Sequence, residues 1–314
     1  MKSVRMWMIV TLSIVVVVLG LVGYAPATVP GTNGLIVWGR FNPEIGDDDI
    51  YTANPDGTDE VKVAGPSECP RWSPDGNRIV LPGITVINWD GSNPVQFSSG
   101  TTQNFGCAIW SADGSRIAFE SWDDADSNFV PGIFSIRSSD GGDLKRLTAA
   151  TAGHDIPGDY SPDGTRLVFL GGAPHKKGAI FVANADGTDR RQITPWGLAP
   201  GDFAPRWSPD GSRIVFVSNG SLFLVNPDGS DLRKVFQDTG GRLDLAPAWS
   251  PDGKKILFVR VVFAGQPFEQ SLYIVNTDGT ALTQVRGPHT SGPVQHSGLG
   301  RTCAMKANLT AQGP

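Results

Sequence analysis

One short sequence recurs five times along the chain and limits what the chain can fold into. "APRWSPDGSRIVFVS" at 204–218 has close copies at 69–83, 107–121, 158–172 and 246–260. In each copy an aromatic residue precedes a Ser-Pro-Asp-Gly or Ser-Ala-Asp-Gly turn, and a run of apolar residues follows. Because Pro presets the turn, Asp hydrogen-bonds the local backbone and Gly adopts left-handed conformations, each copy predicts two strands joined by a tight turn.

A second turn motif alternates with the first. It occurs six times, as "NPDGTD", "NWDGSN", "SSDGGD", "NADGTD", "NPDGSD" and "NTDGTA". Two tight turns in a period of about 44 residues correspond to four strands, which is the size of one β-propeller blade. We therefore predict an all-β fold, a six-bladed β-propeller of four-stranded antiparallel blades.

The first blade lacks a motif for its inner strand, because there are six second turns and only five first turns. We predict that "SGPVQHSG" (291–298) supplies this strand and closes the ring by pairing with the N-terminal blade, which removes a free sheet edge. The polar end of the chain, 307–314, is expected to be dispensable.

The N-terminal residues differ from the repeat. Lys2 and Arg5 precede an apolar run, and Ala25 and Ala27 form an A-x-A pattern. This order is typical of a secretory signal peptide, and the alternative is an uncleaved membrane anchor. We expect a periplasmic or extracellular protein that touches a membrane only through this segment. The predicted organisation is a signal peptide or anchor at 1–27, a linker at 28–33, the propeller at 34–300 and a C-terminal tail at 301–314.

The net charge limits the class of partner that the protein can bind. The formal net charge of −5 argues against nucleic acid as a partner, because nucleic acid favours a basic surface, and we expect a monomer.

Cys69 and Cys107 each stand three residues before the motif Trp in adjacent blades. A disulfide between them needs a Cα separation under about 7 Å. We favour two thiols lining the channel, with Cys303 in the tail.

The motif W-S-P-D-G-x-[RK]-[IL]-x-F, followed by N-x-D-G-[ST], resembles the Pro-Asp propeller repeat of TolB-like proteins over about residues 34–290. The resemblance implies the propeller fold. A role in a cell-envelope complex, as for TolB, is suggested only by analogy. We expect no counterpart of the α/β domain that precedes the propeller in TolB, because the predicted propeller starts shortly after the N-terminal segment.

No catalytic motif stands out in the sequence. It lacks G-x-S-x-G, H-E-x-x-H, C-x-x-C and a phosphate-binding glycine loop. We therefore expect a non-enzymatic binding or scaffold protein that holds a peptide, a protein or a cation of the cell envelope, without a cofactor. The alternatives are a carbohydrate-active enzyme, a glycan lyase or hydrolase with its active site at the channel mouth, and a purely structural subunit.

Repetition separates scaffold residues from candidate site residues. The recurrent motif aspartates are predicted to form turns: Asp75, Asp113, Asp163, Asp210 and Asp252. Calcium has one weak candidate, the stretch with Asp124, Asp126 and Asn128, which matches the start of an EF-hand loop but has Phe129 in place of the required Gly. The alternative interpretation of this stretch is an acidic solvated loop.

The remaining candidates lie on one face of the ring. The repeated turns share one face, here called the turn face, and the variable connections share the other, the loop face, which we predict to be the binding surface. Its candidates are Trp122, His175, Trp196, Phe263 and Phe268. Asp155, Asp202 and Asp244 each stand five residues before a motif aromatic residue, and we predict an arc at the channel mouth together with His154 and Glu68. These carboxylates either attract a cation or a basic peptide or merely cap their own turns.

Overall fold

The repeated turns form tight hairpins in the computed structural model, as in the turn where the Gly211 amide donates to the Ser208 carbonyl at 2.9 Å. Gly211 has a φ of 69°, the left-handed conformation that the motif glycine was expected to supply. The structure describes residues 34–42, 44–54, 56–67, 69–97, 104–122, 130–149, 155–173, 176–198, 205–236, 242–262, 269–285, 289–290 and 308–309. The predicted signal segment, 1–27, and the predicted linker lie outside this part.

Six antiparallel sheets form the blades of a propeller, which confirms the predicted fold. The strands of blades 1 to 3 are β1 (Ile36–Asn42), β2 (Asp47–Ala53), β3 (Val61–Ala64); β4 (Arg71–Trp72), β5 (Arg78–Leu81), β6 (Thr85–Asn88), β7 (Val95–Gln96); and β8 (Asn104–Trp110), β9 (Arg116–Trp122), β10 (Gly132–Arg137), β11 (Lys145–Arg146).

The strands of blades 4 to 6 are β12 (Ile156–Tyr160), β13 (Arg166–Ala173), β14 (Lys176–Asn184), β15 (Arg191–Gln192); β16 (Arg206–Trp207), β17 (Ile214–Ser218), β18 (Ser221–Val225), β19 (Arg233–Lys234); and β20 (Arg242–Trp249), β21 (Lys255–Val262), β22 (Glu269–Asn276), β23 (Thr283–Gln284). A short strand, β24 (His289–Thr290), pairs with β22. No helix in the described ranges is long and apolar enough to cross a bilayer.

The ring is closed by a C-terminal strand, as expected, but at a different position. Strand β25 (Asn308–Leu309) pairs antiparallel with β1, with Leu309 opposite Ile36 and Asn308 opposite Val37. The inner strands β4, β8, β12, β16, β20 and β25 contact one another in this order around the ring. The predicted closing segment, 291–298, lies outside the described residues. The expectation that 307–314 is dispensable is therefore contradicted, because this segment contains the strand that pairs with β1.

The apolar core lies between blades and depends on the motif aromatic residues. Trp207 is fully buried and packs against Val168, Leu170 and Ile180 of the preceding blade. In three blades the motif Arg covers the motif Trp of the next blade: Arg166 lies 4.7 Å above the ring of Trp207. Arg78 lies over Trp110 and Arg213 over Trp249 in the same way. A cation above an aromatic face adds attraction beyond packing, so this pair joins neighbouring blades.

Cys69 and Cys107 form a disulfide between the inner strands of blades 2 and 3. Their Cα atoms are 5.7 Å apart, inside the range that a disulfide requires. The preference for two free thiols is therefore wrong. Cys69 has a φ of 50°, and this irregular backbone three residues before the motif Trp brings the two inner strands close enough to be bridged.

Candidate functional site

The motif aspartates lie in the turns of the turn face, where their carboxylates accept hydrogen bonds. Asp210 accepts a hydrogen bond from the Ser208 hydroxyl at 2.5 Å and another from the Ser212 amide at 3.0 Å. The same bonds recur in the other four blades that carry the motif. Partial burial opposes ionisation, but these hydrogen bonds hold the pKa of each carboxyl below its usual value.

Two carboxylates of the predicted channel-mouth arc are engaged by arginines of their own blades. Asp155 is buried and accepts from both terminal nitrogens of Arg190, at 2.8 and 3.2 Å. Arg190 also stacks on the ring of Phe181, 4.2 Å from its centroid. Gly171 leaves the space for this ion pair, since a Cβ there would lie 2.6 Å from Arg190 Nη2. Burial raises the pKa of Asp155, and Arg190 opposes that rise.

The second carboxylate, Asp244, is neutralised in the same manner. Arg260 donates to both of its oxygens, at 2.6 and 2.9 Å, and Arg242 Nε lies 3.8 Å from Oδ2. Arg260 is itself surrounded by the rings of Phe236, Phe258 and Tyr273. A carboxylate that already holds a bidentate arginine has little charge left for a cation. Asp155 and Asp244 therefore give the predicted cation no free charge.

The other sequence candidates divide into two groups. Trp122 and Trp196 lie on the loop face, where Trp122 ends β9 and Trp196 packs against Phe181 with ring centroids 5.7 Å apart. The remaining candidates lie outside the described residues: Glu68, Asp124, Asp126, Asn128, His154, His175, Asp202, Phe263 and Phe268. Within the part of the chain that is described, no group of three or more His, Cys, Asp or Glu side chains could hold a metal ion.

A group of charged side chains that the sequence analysis did not select lies on the inner strands. Arg71, Asp159 and Arg206 each stand directly before the motif aromatic residue of blades 2, 4 and 5. They are only 4%, 8% and 7% exposed. Arg206 Nη1 donates to the Gly158 carbonyl at 2.7 Å, and the Trp207 amide lies 3.3 Å from Asp159 Oδ2. We call Arg71, Asp159 and Arg206 the channel triad.

Asp159 of the channel triad lies where its inner strand departs from regular pairing. The register of β12 against β13 shifts between Pro157 and Asp159, and equivalent shifts occur in β8 and β20. Such bulges redirect the side chains that follow them. Gly158 is required at this bulge, because a Cβ there would lie 2.5 Å from the carbonyl oxygen of Pro205 on the next inner strand.

Two members of the channel triad are close enough for their charges to interact. Arg71 and Asp159 influence one another although blade 3 separates their blades. Burial raises the pKa of Asp159 to about 7, and the charge of Arg71 opposes that rise. Burial likewise lowers the pKa of Arg71 to about 10. Because their inner strands are not adjacent in the ring, this interaction places both side chains beside the central channel.

A sequence signal for the channel triad does exist. The residue before the motif aromatic residue changes from blade to blade, being Arg71, Ile109, Asp159, Arg206 and Ala248, whereas its neighbours repeat. Variation at one position inside an otherwise constant repeat indicates a role other than scaffold. Charge at three of these five positions is unusual for an inner strand, since buried charges are costly unless paired.

The turn face also carries a cleft of about 330 Å³ between blades 3 and 4. Arg116, Lys145, Tyr160 and Asp163 are among its lining residues. Arg116 and Lys145 both form ion pairs with Asp143, at 2.7 and 3.1 Å, so these two cations of the cleft are already engaged.

The ring of six four-stranded blades defines a β-propeller with charged side chains in its channel. The family model of the TolB beta propeller domain matches residues 82–260, more than half of the chain. The chain therefore belongs to the TolB beta propeller domain family.

Individual proteins are similar to this chain over different shares of its length. TolB from Acinetobacter baumannii is similar in structure, with a TM-score of 0.66 and 18% identity, over 88% of this chain and 66% of that chain. An oligogalacturonate lyase in complex with manganese gives a TM-score of 0.54 and 14% identity, over 84% of this chain and 75% of that chain. The uncharacterized protein Atu1656 of Agrobacterium fabrum is 34% identical over 111 residues, 35% of this chain and 34% of its own length. The chain thus spans about a third of that relative and just under two thirds of the TolB structure.

Proposed function

We propose that this protein is an exported, non-enzymatic binding protein that holds a peptide or protein of the cell envelope at the loop face and the channel of its propeller. The observation that carries the proposal is the channel triad, three buried charged side chains gathered inside the ring. Buried charges are costly unless they are paired, and a protein that retains such groups at a pocket commonly uses them to bind. Membership of the TolB beta propeller domain family and the N-terminal sequence pattern support a place in the envelope.

The loop face offers the outer part of this site. Trp122 and Trp196 lie there, and aromatic side chains supply large contact areas in protein recognition. The carboxylates of Asp155 and Asp244 are neutralised by arginines, so these two residues do not favour a cation. The experiment below therefore tests for a peptide or protein.

Site-specific photo-crosslinking in cells tests this proposal. The photoreactive residue p-benzoylphenylalanine would replace Trp122 on the loop face, or Trp89 as a matched control. Trp89 is 46% exposed and lies on the turn face, where its amide bonds the Asn77 carbonyl. We expect a covalent adduct with an envelope peptide or protein from position 122 and none from position 89.

Two results would contradict the proposal. Absence of an adduct at position 122 in correctly folded protein would argue against a loop-face partner. Equal adducts at positions 122 and 89 would show unspecific capture. Export is checked in the same cells by fractionation and N-terminal sequencing, and a chain found in the cytoplasm would contradict the proposed location.

A further inference from the structure

The channel triad contains more hydrogen-bond donors than the protein satisfies. Nε and Nη1 of Arg71 are buried, and no described residue accepts a hydrogen bond from either atom. Arg206 Nε is in the same condition. An unsatisfied buried donor destabilises the folded state, and a charged one does so more strongly, so native proteins rarely retain several in one place without a use for them.

Among the described residues, the carboxylate whose charge acts on Arg71 is that of Asp159, and it does not satisfy these donors. Asp159 senses the charge of Arg71, yet the two side chains form no direct ion pair among the described residues. One oxygen of Asp159 is instead 3.3 Å from the Trp207 amide. The channel triad has two guanidinium groups and one carboxyl, so it carries an excess of positive charge.

We infer that the channel triad is an anion-binding site that takes the carboxylate of a peptide, with Arg71 as its principal ligand. A guanidinium group donates several hydrogen bonds in one plane and matches a carboxylate closely. The choice of a carboxylate rests on the proposed function, because carboxylates are the anionic groups that an unmodified peptide carries.

The surrounding structure holds Arg71 in place for this role. Cys69, two residues before it, is bonded to Cys107 of the next blade. Trp72, directly after it, is buried against Val37 and Ile79. A donor fixed on both sides loses little conformational entropy when it binds, which favours affinity. On the opposite side of the channel, Arg206 is anchored to the Gly158 carbonyl.

Calorimetric titration of the purified protein tests the inference. The probe is the tripeptide Ala-Ala-Ala with a free C-terminal carboxylate, compared with the same tripeptide as its C-terminal amide and with inorganic phosphate. We expect the free acid to bind and to raise the melting temperature, as any ligand of the folded state does. We expect the amide to bind at least tenfold more weakly.

Three variants assign the binding to Arg71. Arg71→Met should lose binding of the free acid while remaining folded, because Met fills similar space without a buried charge. Arg71→Lys keeps the charge without the planar donor group and should weaken binding several-fold. Arg137→Met is the control, since Arg137 is an exposed turn-face arginine paired with Asp140, and it should bind like the native protein.

Clear outcomes would overturn the inference. These are no binding of the free acid to the native protein, equal binding of acid and amide, unchanged binding by Arg71→Met, or binding of phosphate in preference to the carboxylate. Crosslinking at position 122 without carboxylate binding would refute this inference and leave the proposed function standing. Carboxylate binding without any crosslink would do the reverse.

Discussion

Removal of the closing strand should open the ring between blades 6 and 1. A chain that ends at residue 306 lacks β25, the strand that pairs with β1 and contacts β20 and β4. A chain that ends at residue 309 keeps β25 and serves as the matched control. Without β25, the inner edge of β1 loses its partner, and the fully buried residues Ile36 and Val37 lose part of their cover.

The size of this effect follows from the contacts that are lost. A two-residue antiparallel pair contributes on the order of two backbone hydrogen bonds, each worth about 1 kcal/mol net. Partial exposure of two buried aliphatic side chains adds about 1 kcal/mol each. The total, about 4 kcal/mol, corresponds to a melting temperature lower by roughly 6 °C for a protein of this size.

Urea denaturation and size-exclusion chromatography of the two truncated chains measure the loss. We expect the chain ending at 306 to unfold at lower urea and to form oligomers through its unpaired strand edge. The chain ending at 309 should match the native protein. An unchanged denaturation midpoint and a monomeric elution volume for the shorter chain would refute closure by Asn308–Leu309.

Three further predictions concern the disulfide, the core and pH. Denatured, unreduced protein should contain one free thiol among its three cysteines, and three free thiols would contradict the disulfide. Replacing Cys69 and Cys107 by Ser should lower the unfolding free energy by about 3–4 kcal/mol, because the bond closes a loop of 38 residues. In urea denaturation, Trp207→Ala should lower the unfolding free energy by about 3–5 kcal/mol, whereas Trp89→Ala on the surface should change it by no more than about 0.5 kcal/mol. Equal losses would contradict the placement of Trp207 in the core. The unfolding free energy should fall as pH drops below 3.8. The turn aspartates have lowered pKa values, so they stay ionised in the folded state while the unfolded chain binds protons. An unfolding free energy that does not change with pH in this range would contradict their hydrogen bonds.

The sequence predicts the blades well, because their signals are local. Pro, Asp and Gly define each turn within four residues, and the apolar runs that follow mark the strands. The inter-blade position of Trp207 was also predictable, since a large aromatic ring repeated once per blade needs a gap of matching size. The number of second-turn motifs, six, then gives the number of blades.

Features that depend on distance across the ring were not predictable. The closing strand β25 has no motif of its own, and its pairing with β1 joins the two ends of the chain. Next to the bond between Cys69 and Cys107, the backbone of Cys69 is irregular, and no sequence motif predicts this irregularity. The charges of Arg71 and Asp159 interact because the inner strands of blades 2 and 4 border the same channel. The arginine partners of Asp155 and Asp244 lie on other strands of their own blades, Arg190 just before β15 and Arg260 on β21.

A double-mutant cycle on Arg71 and Asp159 tests the central claim, that side chains of non-adjacent blades meet in the channel. Arg71→Met, Asp159→Asn and the double variant would be compared with the native protein by equilibrium urea denaturation at pH 8, where Asp159 is mostly ionised. Residues that interact show coupling energies of about 0.5–3 kcal/mol, whereas independent sites add within about 0.3–0.5 kcal/mol. We expect a coupling of at least about 1 kcal/mol. Additive effects of the two substitutions would contradict the claim, because they would place Arg71 and Asp159 apart.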